Sequence, residues 1–380
     1  MTNRERAMAV LNYKNYDRMP IVHFGYWAET LQKWHEEGHV TKDECHYWGD
    51  NNEYDIAICK KLGFDFNWQP ALALSTALKP PFPHKVIKDL GGGKKHVQNA
   101  DGVILLTDDS ISAAISAEVG HLLTDRASWE EHYKPRLMYI ENRINKGWVS
   151  AYPSYLEDME ADVPYGVMIG SLFGYIRNWM GVEAVSFLYY EEEELYSEIV
   201  DTVGNLVFSV TKATMETAKN AGFTFDYVHF WEDICFNTGP LVVPSVFEEK
   251  VGPHYKRITD MVKSYGVDII SLDCDGLIDA LLPIWLKNGV NTMFPIEVGT
   301  WDASIAPWRE KYGKELRGVG GMNKNLFALD KPAIDAEIER LKNLTQLGGF
   351  IPCPDHRIPP DAKWELVQYY TDKMRNAYSA

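Results

Sequence analysis

The stretch that decides the fold is VDIISLDCDG (267–276), followed by LIDALLPIWLKN (277–288) and VNTMFPIEV (290–298). A run of branched apolar residues ends in two aspartates, a longer amphipathic stretch follows, and a second apolar run ends at Glu297. This alternation is typical of a strand, a helix and a second strand parallel to the first. The sequence therefore predicts an α/β fold built on a parallel sheet.

The same alternation continues from about residue 160 to the end of the chain. Apolar runs at 163–171, 223–233, 267–276, 290–298, 316–324 and 348–356 alternate with predicted helices at 183–218, 245–265, 277–288, 302–312, 331–346 and 361–375. Strands near residues 21 and 65 bring the units close to the eight of a closed barrel. We therefore predict a (β/α)8 TIM barrel, and an open doubly wound sheet is the alternative.

The N-terminal part of the chain interrupts this pattern. Thr2 is predicted to cap a helix over Asn3–Leu11, and residues 80–107 mix Pro, Gly and β-branched residues, which indicates a β-hairpin insertion. The triplet Gly91-Gly92-Gly93 lies between the hairpin strands, which favours a turn over a phosphate-binding loop. Because no repeat or linker divides the chain, residues 1–380 are predicted to form a single domain.

Composition excludes several classes of function. The 380 residues carry 38 Lys+Arg and 54 Asp+Glu, a net charge of −16, which argues against nucleic-acid binding. The five cysteines form no CxxC pair, so a reduced cytoplasm is expected. No run reaches the roughly 18 apolar residues of a membrane span. We expect a cytoplasmic protein without a membrane partner, and the sequence leaves homo-oligomerisation open.

Polar residues are concentrated where the predicted strands end, which is where TIM barrels place their active sites. They are His229, Glu232, Asp273, Asp275, Glu297, Cys353 and His356. Asp273 and Asp275 point the same way by the two-residue period of a strand, and such close carboxylates repel unless a proton or cation separates them. Zinc accepts mixed sulfur and oxygen ligands. We therefore predict a zinc site at Asp275, Glu297 and Cys353, with Asp273 as a fourth ligand or a supporting group.

Each of these residues also has a simpler interpretation. Asp275 could cap the following helix, Cys353 could be a small buried apolar residue, and His356 could merely hold its loop. Glu232 could cap a helix or face solvent. Their coincidence on one predicted rim favours a functional site. Aromatic and cationic side chains near the same rim are candidate substrate contacts, although packing would also explain them: Trp27, Tyr175, Arg177, Trp179 and Trp231.

Five motifs resemble the uroporphyrinogen decarboxylase superfamily. They are GSLFGYIRNWMGVE (170–183), WEDICFNTGPLVVPSVFEEKVGPHYKRI (231–258), LDCDGLIDALLPIWLKNGVNTMFPIEV (272–298), GVGGMNKNLFA (318–328) and GGFIPCPDHRIPPD (348–361). The resemblance covers most of residues 1–375 and implies a (β/α)8 barrel. It also implies one of two chemistries, which are porphyrinogen decarboxylation and zinc-dependent methyl transfer involving a corrinoid protein in anaerobic metabolism.

The resemblance favours methyl transfer. The decarboxylase uses an N-terminal arginine cluster to hold its many-carboxylate substrate, and the corresponding stretch PIVHFGYWAETLQKW (20–34) contains no arginine. Thiol-methylating relatives bind zinc through His-x-Cys-Gly and a distant Cys. Aligned on Gly276, these positions are Asp273, Asp275 and Cys353, so two of the three ligands differ. This departure argues against a thiol substrate. In this respect the chain instead resembles the O-demethylating methyltransferases.

The resemblance therefore implies transfer of a methyl group from a small methyl donor, foremost a methoxylated aromatic, to a Co(I) corrinoid on a partner protein. Zinc or an acid would stabilise the leaving oxygen. His229, Glu232 or His356 would donate the proton. The alternatives are a metal-independent decarboxylase or lyase on the same barrel, and a barrel that binds a ligand without catalysis.

Overall fold

The structure, a computed structural model, describes residues 1–108 and 117–378. The strands within these residues, in chain order, are β1 (Val22–His23), β2 (Phe66–Asn67), β3 (Leu72–Ala73), β4 (Lys85–Gly91), β5 (Lys94–Gln98), β6 (Val103–Asp108), β7 (Ala117–His121), β8 (Gly166–Gly170), β9 (Tyr227–Trp231), β10 (Cys235–Phe236), β11 (Gly239–Pro240), β12 (Ile269–Asp273), β13 (Thr292–Phe294), β14 (Arg317–Met322) and β15 (Phe350–Pro354).

The helices surround these strands. In chain order they are α1 (Asn3–Leu11), α2 (Ala28–Glu36), α3 (Lys42–His46), α4 (Glu53–Leu62), α5 (Arg126–Ser128), α6 (Lys146–Asp158), α7 (Gly174–Met180), α8 (Val182–Glu191), α9 (Glu193–Asn220), α10 (Pro244–Lys250), α11 (Gly252–Ser264), α12 (Leu282–Lys287), α13 (Val298–Trp301), α14 (Ile305–Tyr312), α15 (Lys331–Thr345) and α16 (Trp364–Ala377). Short 3-10 or π turns cover Trp129–Tyr133, Lys134–Leu137, Glu141–Arg143, Gly313–Glu315 and Lys324–Ala328.

A seven-stranded sheet in the order β15-β14-β13-β12-β9-β8-β3 forms the centre, and all of its neighbouring strands are parallel. Every residue of β12 and of β15 is buried. Strands that are covered on both faces read as continuous apolar runs, which is why the sequence revealed them. The predicted α/β fold with a parallel sheet is confirmed.

The parallel pair β1-β2 faces this sheet across the interior. The rings of Phe24 and Phe294 lie 4.4 Å apart, between centroids, and a parallel bridge joins Tyr26 to Ile358, just beyond β1 and β15. The strand order fits a (β/α)8 barrel. Among the described residues, however, the ladder of strand hydrogen bonds is interrupted between β15 and β1 and between β2 and β3, so it does not close into a continuous barrel.

A separate antiparallel sheet, in the order β4-β5-β6-β7, occupies the region where the sequence indicated a hairpin. β4 and β5 pair as a hairpin, and Gly91, Gly92 and Gly93 all have positive φ at the turn between them. β6 and β7 then extend the pairing beyond the expected 80–107. The prediction of one domain over residues 1–380, which includes residues outside the described ranges, stays a prediction.

Two long predicted helices are each divided in the structure. The helix expected at 183–218 becomes α8 and α9, which meet at Glu192 with φ −142° and ψ 69°. Four consecutive glutamates, residues 191–194, surround this point, and like charges crowded into one turn oppose a continuous helix. The helix expected at 245–265 divides at Val251, because Pro253 in the next turn has no N–H to continue the ladder.

The buried apolar side chains form one cluster that runs from Ala7 to Met374. Because the strands of the central sheet are parallel, the residues that follow β9, β12, β13 and β15 lie at the same side of this core. No helix in the described part of the chain is long and apolar enough to cross a membrane.

Candidate active site

His229 and Asp273 meet inside the parallel sheet. Their strands are neighbours in register, with His229 opposite Ser271. His229 Nδ1 lies 2.9 Å from Ser271 Oγ, and its Nε2 lies 3.9 Å from Asp273 Oδ2. The same Asp273 oxygen accepts a hydrogen bond from Gln69 Nε2 at 3.0 Å. The structure thus brings these two predicted residues together and adds Gln69.

The environment of Asp273 favours its protonated form. Burial raises the pKa of Asp273 above its usual value, and the charge of nearby Asp275 raises this pKa further. The neighbouring His229 imidazole opposes the rise. A buried carboxyl group that retains its proton can act as a general acid or share a proton with a ligand.

Asp275 and His356 form a second pair at the same strand ends. Asp275 Oδ2 lies 3.4 Å from His356 Nε2, and the Trp27 ring stacks on the imidazole with 5.6 Å between centroids. Burial is the largest effect and lowers the pKa of His356, but the hydrogen bond and charge of Asp275 together raise it above its usual value. The pair therefore favours a protonated imidazole against an aromatic wall.

Glu297 holds the loop that carries Asp275. Its Oε2 accepts a hydrogen bond from the Gly276 amide at 2.6 Å, and its Oε1 accepts one from Thr300 Oγ1 at 3.0 Å. Burial raises the pKa of Glu297, and the charge of Asp275 adds to the rise. Gly276 has φ +87°, and a Cβ there would lie 2.7 Å from two backbone carbonyl oxygens. Only glycine fits this turn without displacing the loop.

Cys353 lies apart from these carboxylates. It is fully buried in β15, and its thiol is near enough to the Tyr370 hydroxyl, on α16, to contribute to the raised pKa of Tyr370 after the larger effect of burial. Burial also raises the pKa of the Cys353 thiol itself. In the described chain, Asp275, Glu297 and Cys353 do not form a group of metal-ligand atoms within 4.8 Å of one another. Their role as zinc ligands stays a prediction that this geometry does not support.

A different trio has the spacing at which a metal ion could be held: His23, Asp55 and Cys59, with ligand atoms within 4.8 Å of one another. No motif in the sequence marks this trio, because His23 comes from β1 and the other two from α4. His23 Nε2 lies 2.9 Å from Cys59 Sγ and 3.8 Å from Asp55 Oδ1. All three side chains are buried.

The hydrogen bonds of this trio do not fit a zinc site. The Gly25 amide donates to His23 Nδ1 at 2.9 Å, so the ring proton lies on Nε2, the atom that faces the other two residues. Burial lowers the pKa of His23 to about 3, raises that of Asp55 to about 7 and raises that of the Cys59 thiol well above its usual value. His23 also faces α4, whereas the adjacent Phe24 faces the interior. We assign no catalytic role to His23, Asp55 or Cys59.

Glu232 serves as an anchor rather than an open acid. Its carboxylate accepts hydrogen bonds from five donors, which are Ser171 Oγ, the amides of Leu172, Phe173 and Gly174, and Tyr255 Oη. Three of these donors are backbone amides at the start of α7, where a negative charge is favoured. Burial raises the pKa of Glu232, and the Tyr255 hydrogen bond opposes that rise. Its predicted role as proton donor is untested.

The predicted aromatic contacts differ in what they can reach. Trp179 is fully buried and stacks behind Tyr175 with 5.8 Å between centroids. Tyr175 in turn lies 6.2 Å from the partly exposed ring of Trp231. The Arg177 guanidinium pairs with Asp233. Trp27 and Trp231 therefore have surface available for a ligand, whereas Trp179 supports Tyr175 from the core.

The model of the uroporphyrinogen decarboxylase (URO-D) family matches residues 147–377, more than half of the chain. This protein belongs to that family. The match spans β8 to α16 and therefore every strand that ends at His229, Asp273, Asp275, Glu297 or His356.

Two solved structures are similar to this chain at low sequence identity, and the first of them shares its fold. A methyltransferase from Methanosarcina mazei superimposes with a TM-score of 0.61 at 14% identity, covering 99% of each chain. A protein described as a vitamin-B12-independent methionine synthase from Listeria monocytogenes gives a TM-score of 0.42 at 12% identity, covering 95% of this chain and 97% of that one. No curated protein sequence matches.

Two arginines of this family member lie near the strand ends, and both are paired with aspartates. Arg177 contacts Asp233, and Arg357 lies 2.9 Å from Asp50. The ionisable group beside His229 is instead the Asp273 carboxyl, 3.9 Å from Nε2. Such a surface is poorly suited to a substrate with many carboxylates.

Proposed function

We propose that the protein is a methyltransferase that removes the methyl group of a small methylated substrate, foremost a methoxylated aromatic, and passes it to a Co(I) corrinoid on a partner protein. The observation that carries this proposal is the Asp275–His356 pair stacked under Trp27. Family membership and the fold shared with a methyltransferase support it.

Cleavage of an aryl methyl ether is difficult because phenolate is a poor leaving group. A protonated His356 carries a hydrogen on each ring nitrogen: the Nε2 hydrogen faces Asp275, and the Nδ1 hydrogen can pass to the ether oxygen as the methyl group departs. Asp275 keeps the imidazole charged before the transfer, because its negative charge raises the pKa of His356. The corrinoid, when bound, supplies the nucleophile that accepts the methyl group.

The aromatic side chains would orient the substrate ring. Trp27 and Trp231 present partly exposed rings, and Tyr175 supports Trp231 from the side. Aromatic rings pack favourably face to edge or offset on one another. A ring placed against Trp27 would bring its ether oxygen close to the His356 imidazole, which stacks on the same indole.

Zinc is a separate part of the proposal. Asp275, Glu297 and Cys353 would be its ligands, but their ligand atoms do not gather within the described chain, so the proton on His356 carries the proposed mechanism without a metal. Metal analysis of protein purified without chelator distinguishes proton donation by His356 from activation by zinc. About one zinc per chain, lost in a Glu297→Ala, Cys353→Ala double variant, would replace protonation by Lewis-acid activation.

A second candidate is a decarboxylase or lyase that uses acid–base chemistry alone. The buried Asp273 beside His229, with its raised pKa, favours this reading, because it supplies a proton next to an imidazole. It predicts that a carboxylated substrate is consumed without any corrinoid. The two candidates therefore differ in their need for Co(I).

The direct test is anaerobic incubation of the purified protein with Co(I) cobalamin and, separately, methoxybenzene, methanol and methylamine. We expect loss of the Co(I) absorbance with methoxybenzene. We expect His356→Gln to abolish this loss and His132→Gln, at a half-exposed histidine on a surface turn, to preserve it. Turnover of all three donors at the uncatalysed rate would refute the proposal.

A further inference from the structure

A chain of three buried side chains fixes the proton on His229. Trp68 Nε1 lies 3.5 Å from Ser271 Oγ, which lies 2.9 Å from His229 Nδ1, and all three residues are fully buried. An indole N–H can donate a hydrogen bond but cannot accept one. Ser271 Oγ therefore accepts from Trp68, and its own hydrogen is free for His229.

This direction of hydrogen bonding decides the tautomer of His229. When the Ser271 hydroxyl donates to Nδ1, the ring proton must lie on Nε2. The opposite tautomer would place two hydrogens, one from Trp68 and one from Nδ1, on the Ser271 oxygen and leave its hydroxyl hydrogen without an acceptor among the described residues. Buried polar groups are rarely left unpaired, so the first arrangement is favoured.

In this tautomer the hydrogen on His229 Nε2 has no acceptor within the described residues. This nitrogen is buried and has no hydrogen-bond partner among residues 1–108 and 117–378. The nearest carboxylate oxygen, on Asp273, is 3.9 Å away and already accepts from Gln69. The Phe294 ring lies 5.5 Å from the imidazole, between centroids. The unused donor thus faces a site with apolar surroundings.

We propose that His229 is a fixed hydrogen-bond donor that binds an uncharged acceptor oxygen of the ligand through Nε2–H, and that Ser271 and Trp68 hold it in that state. The charge around it selects the kind of oxygen. Asp273 Oδ2 lies 3.9 Å from Nε2, so a ligand carboxylate that accepted from Nε2–H would lie beside a second carboxyl group, and two such groups cannot both stay ionised that close together, whereas an ether oxygen meets no such conflict. Ser271 and Trp68 are positioning residues, and this assignment of ligand class rests on the proposed function.

The tautomer can be measured without any turnover. Nitrogen-15 NMR of the imidazole side chains, with the His229 signals assigned by their loss in His229→Gln, distinguishes a nitrogen that carries hydrogen from one that does not. We expect a protonated Nε2 and an unprotonated Nδ1 at neutral pH. Ser271→Ala should mix the tautomers, and Ser264→Ala, at an exposed helical serine, should leave them unchanged. The reverse tautomer or a doubly protonated ring in the unaltered protein would overturn the proposal.

The acceptor is tested with two probes of similar size, methoxybenzene and ethylbenzene. Only the first has an oxygen, so we expect it to bind roughly tenfold more tightly and to shift the His229 Nε2 signal. His229→Leu should remove this preference, and His229→Gln, whose amide can donate from a similar position, should keep part of it. Equal affinities, including no measurable binding of either probe, would overturn the acceptor assignment. Correct tautomer and binding results without methyl transfer would refute the proposed function alone.

Discussion

Replacing Glu232 by glutamine should destabilise the protein strongly although it changes only one atom. Oε1 accepts from the Leu172 amide and Tyr255 Oη, and Oε2 accepts from the Gly174 amide and Ser171 Oγ. Whichever oxygen becomes the NH2 group, at least one buried backbone N–H then faces another donor. Stranding that group costs about 1–3 kcal/mol, and the remaining hydrogen bonds to a neutral amide are about half as strong, so we expect a loss of about 3 kcal/mol.

Urea unfolding of both proteins measures this loss as the difference in free energy of unfolding. Tyr255→Phe is the matched control, because it removes one of the five donors and should cost only about 1 kcal/mol. A Glu232→Gln protein within about 0.5 kcal/mol of the unaltered one, the range of ordinary surface changes, would refute the anchoring role. If that stable variant had also lost activity, Glu232 would belong to the proton-transfer chemistry that the sequence suggested.

Three further predictions follow from the same site. Asp275→Asn should move the alkaline limb of the pH–rate profile to lower pH, because the variant lacks the negative charge that raises the pKa of His356 but keeps the burial that lowers it. An alkaline limb at unchanged pH would contradict this role of Asp275. Gly276→Ala should cost more free energy of unfolding than Gly222→Ala, since both have positive φ but only the Gly276 Cβ would meet neighbouring atoms within 4 Å; equal costs would contradict the close approach. In the native protein a thiol reagent should modify Cys45 and leave the four buried cysteines until unfolding, as counted by mass spectrometry; early modification of a second cysteine would disprove it.

The strand ends could be predicted because burial on both faces leaves a simple signal. β12 and β15 are continuous apolar runs, and the rule that strand ends meet placed Asp273, Asp275 and His356 on one side of the core. The pair Asp273–His229 follows from the pairing of β9 with β12. Asp275 and His356 lie beyond the ends of β12 and β15, which are separated by two strands, so their contact depends on the loops as well.

The sequence alone does not decide which strand-end residues form a metal-ligand set. Membership of a ligand set depends on which face of a strand each side chain occupies, and Cys353 lies near Tyr370 of α16 rather than beside Asp275. Gln69 was not predicted because its side-chain amide is uncharged and does not titrate, and the sequence prediction selected charged or titratable residues near strand ends. Asp55 and Cys59 are four residues apart on α4 and so share a helical face, but only the register of β1 brings His23 to them.

The sequence offered helix capping as one role of Glu232 but could not choose it over proton donation, because the partners of Glu232 are mostly backbone amides. A sequence shows which side chains can accept hydrogen bonds, but it does not show which N–H groups a turn will leave unpaired. Here the turn at Ser171–Gly174 directs three amides towards one carboxylate. The same turn begins α7 and places Tyr175 beside Trp231. Glu232 therefore holds the turn that positions Tyr175 beside Trp231.

If His356 protonates the leaving oxygen, two methyl donors whose leaving groups differ in acidity should differ in their need for His356. Nitrophenolate leaves readily without a proton, so 1-methoxy-4-nitrobenzene should depend on His356 far less than methoxybenzene does. The measurement is the rate of loss of Co(I) absorbance in the unaltered protein and in His356→Gln. We predict a fall of roughly 10²- to 10⁴-fold with methoxybenzene and a much smaller fall with the nitro compound. Equal falls with both donors would contradict the account.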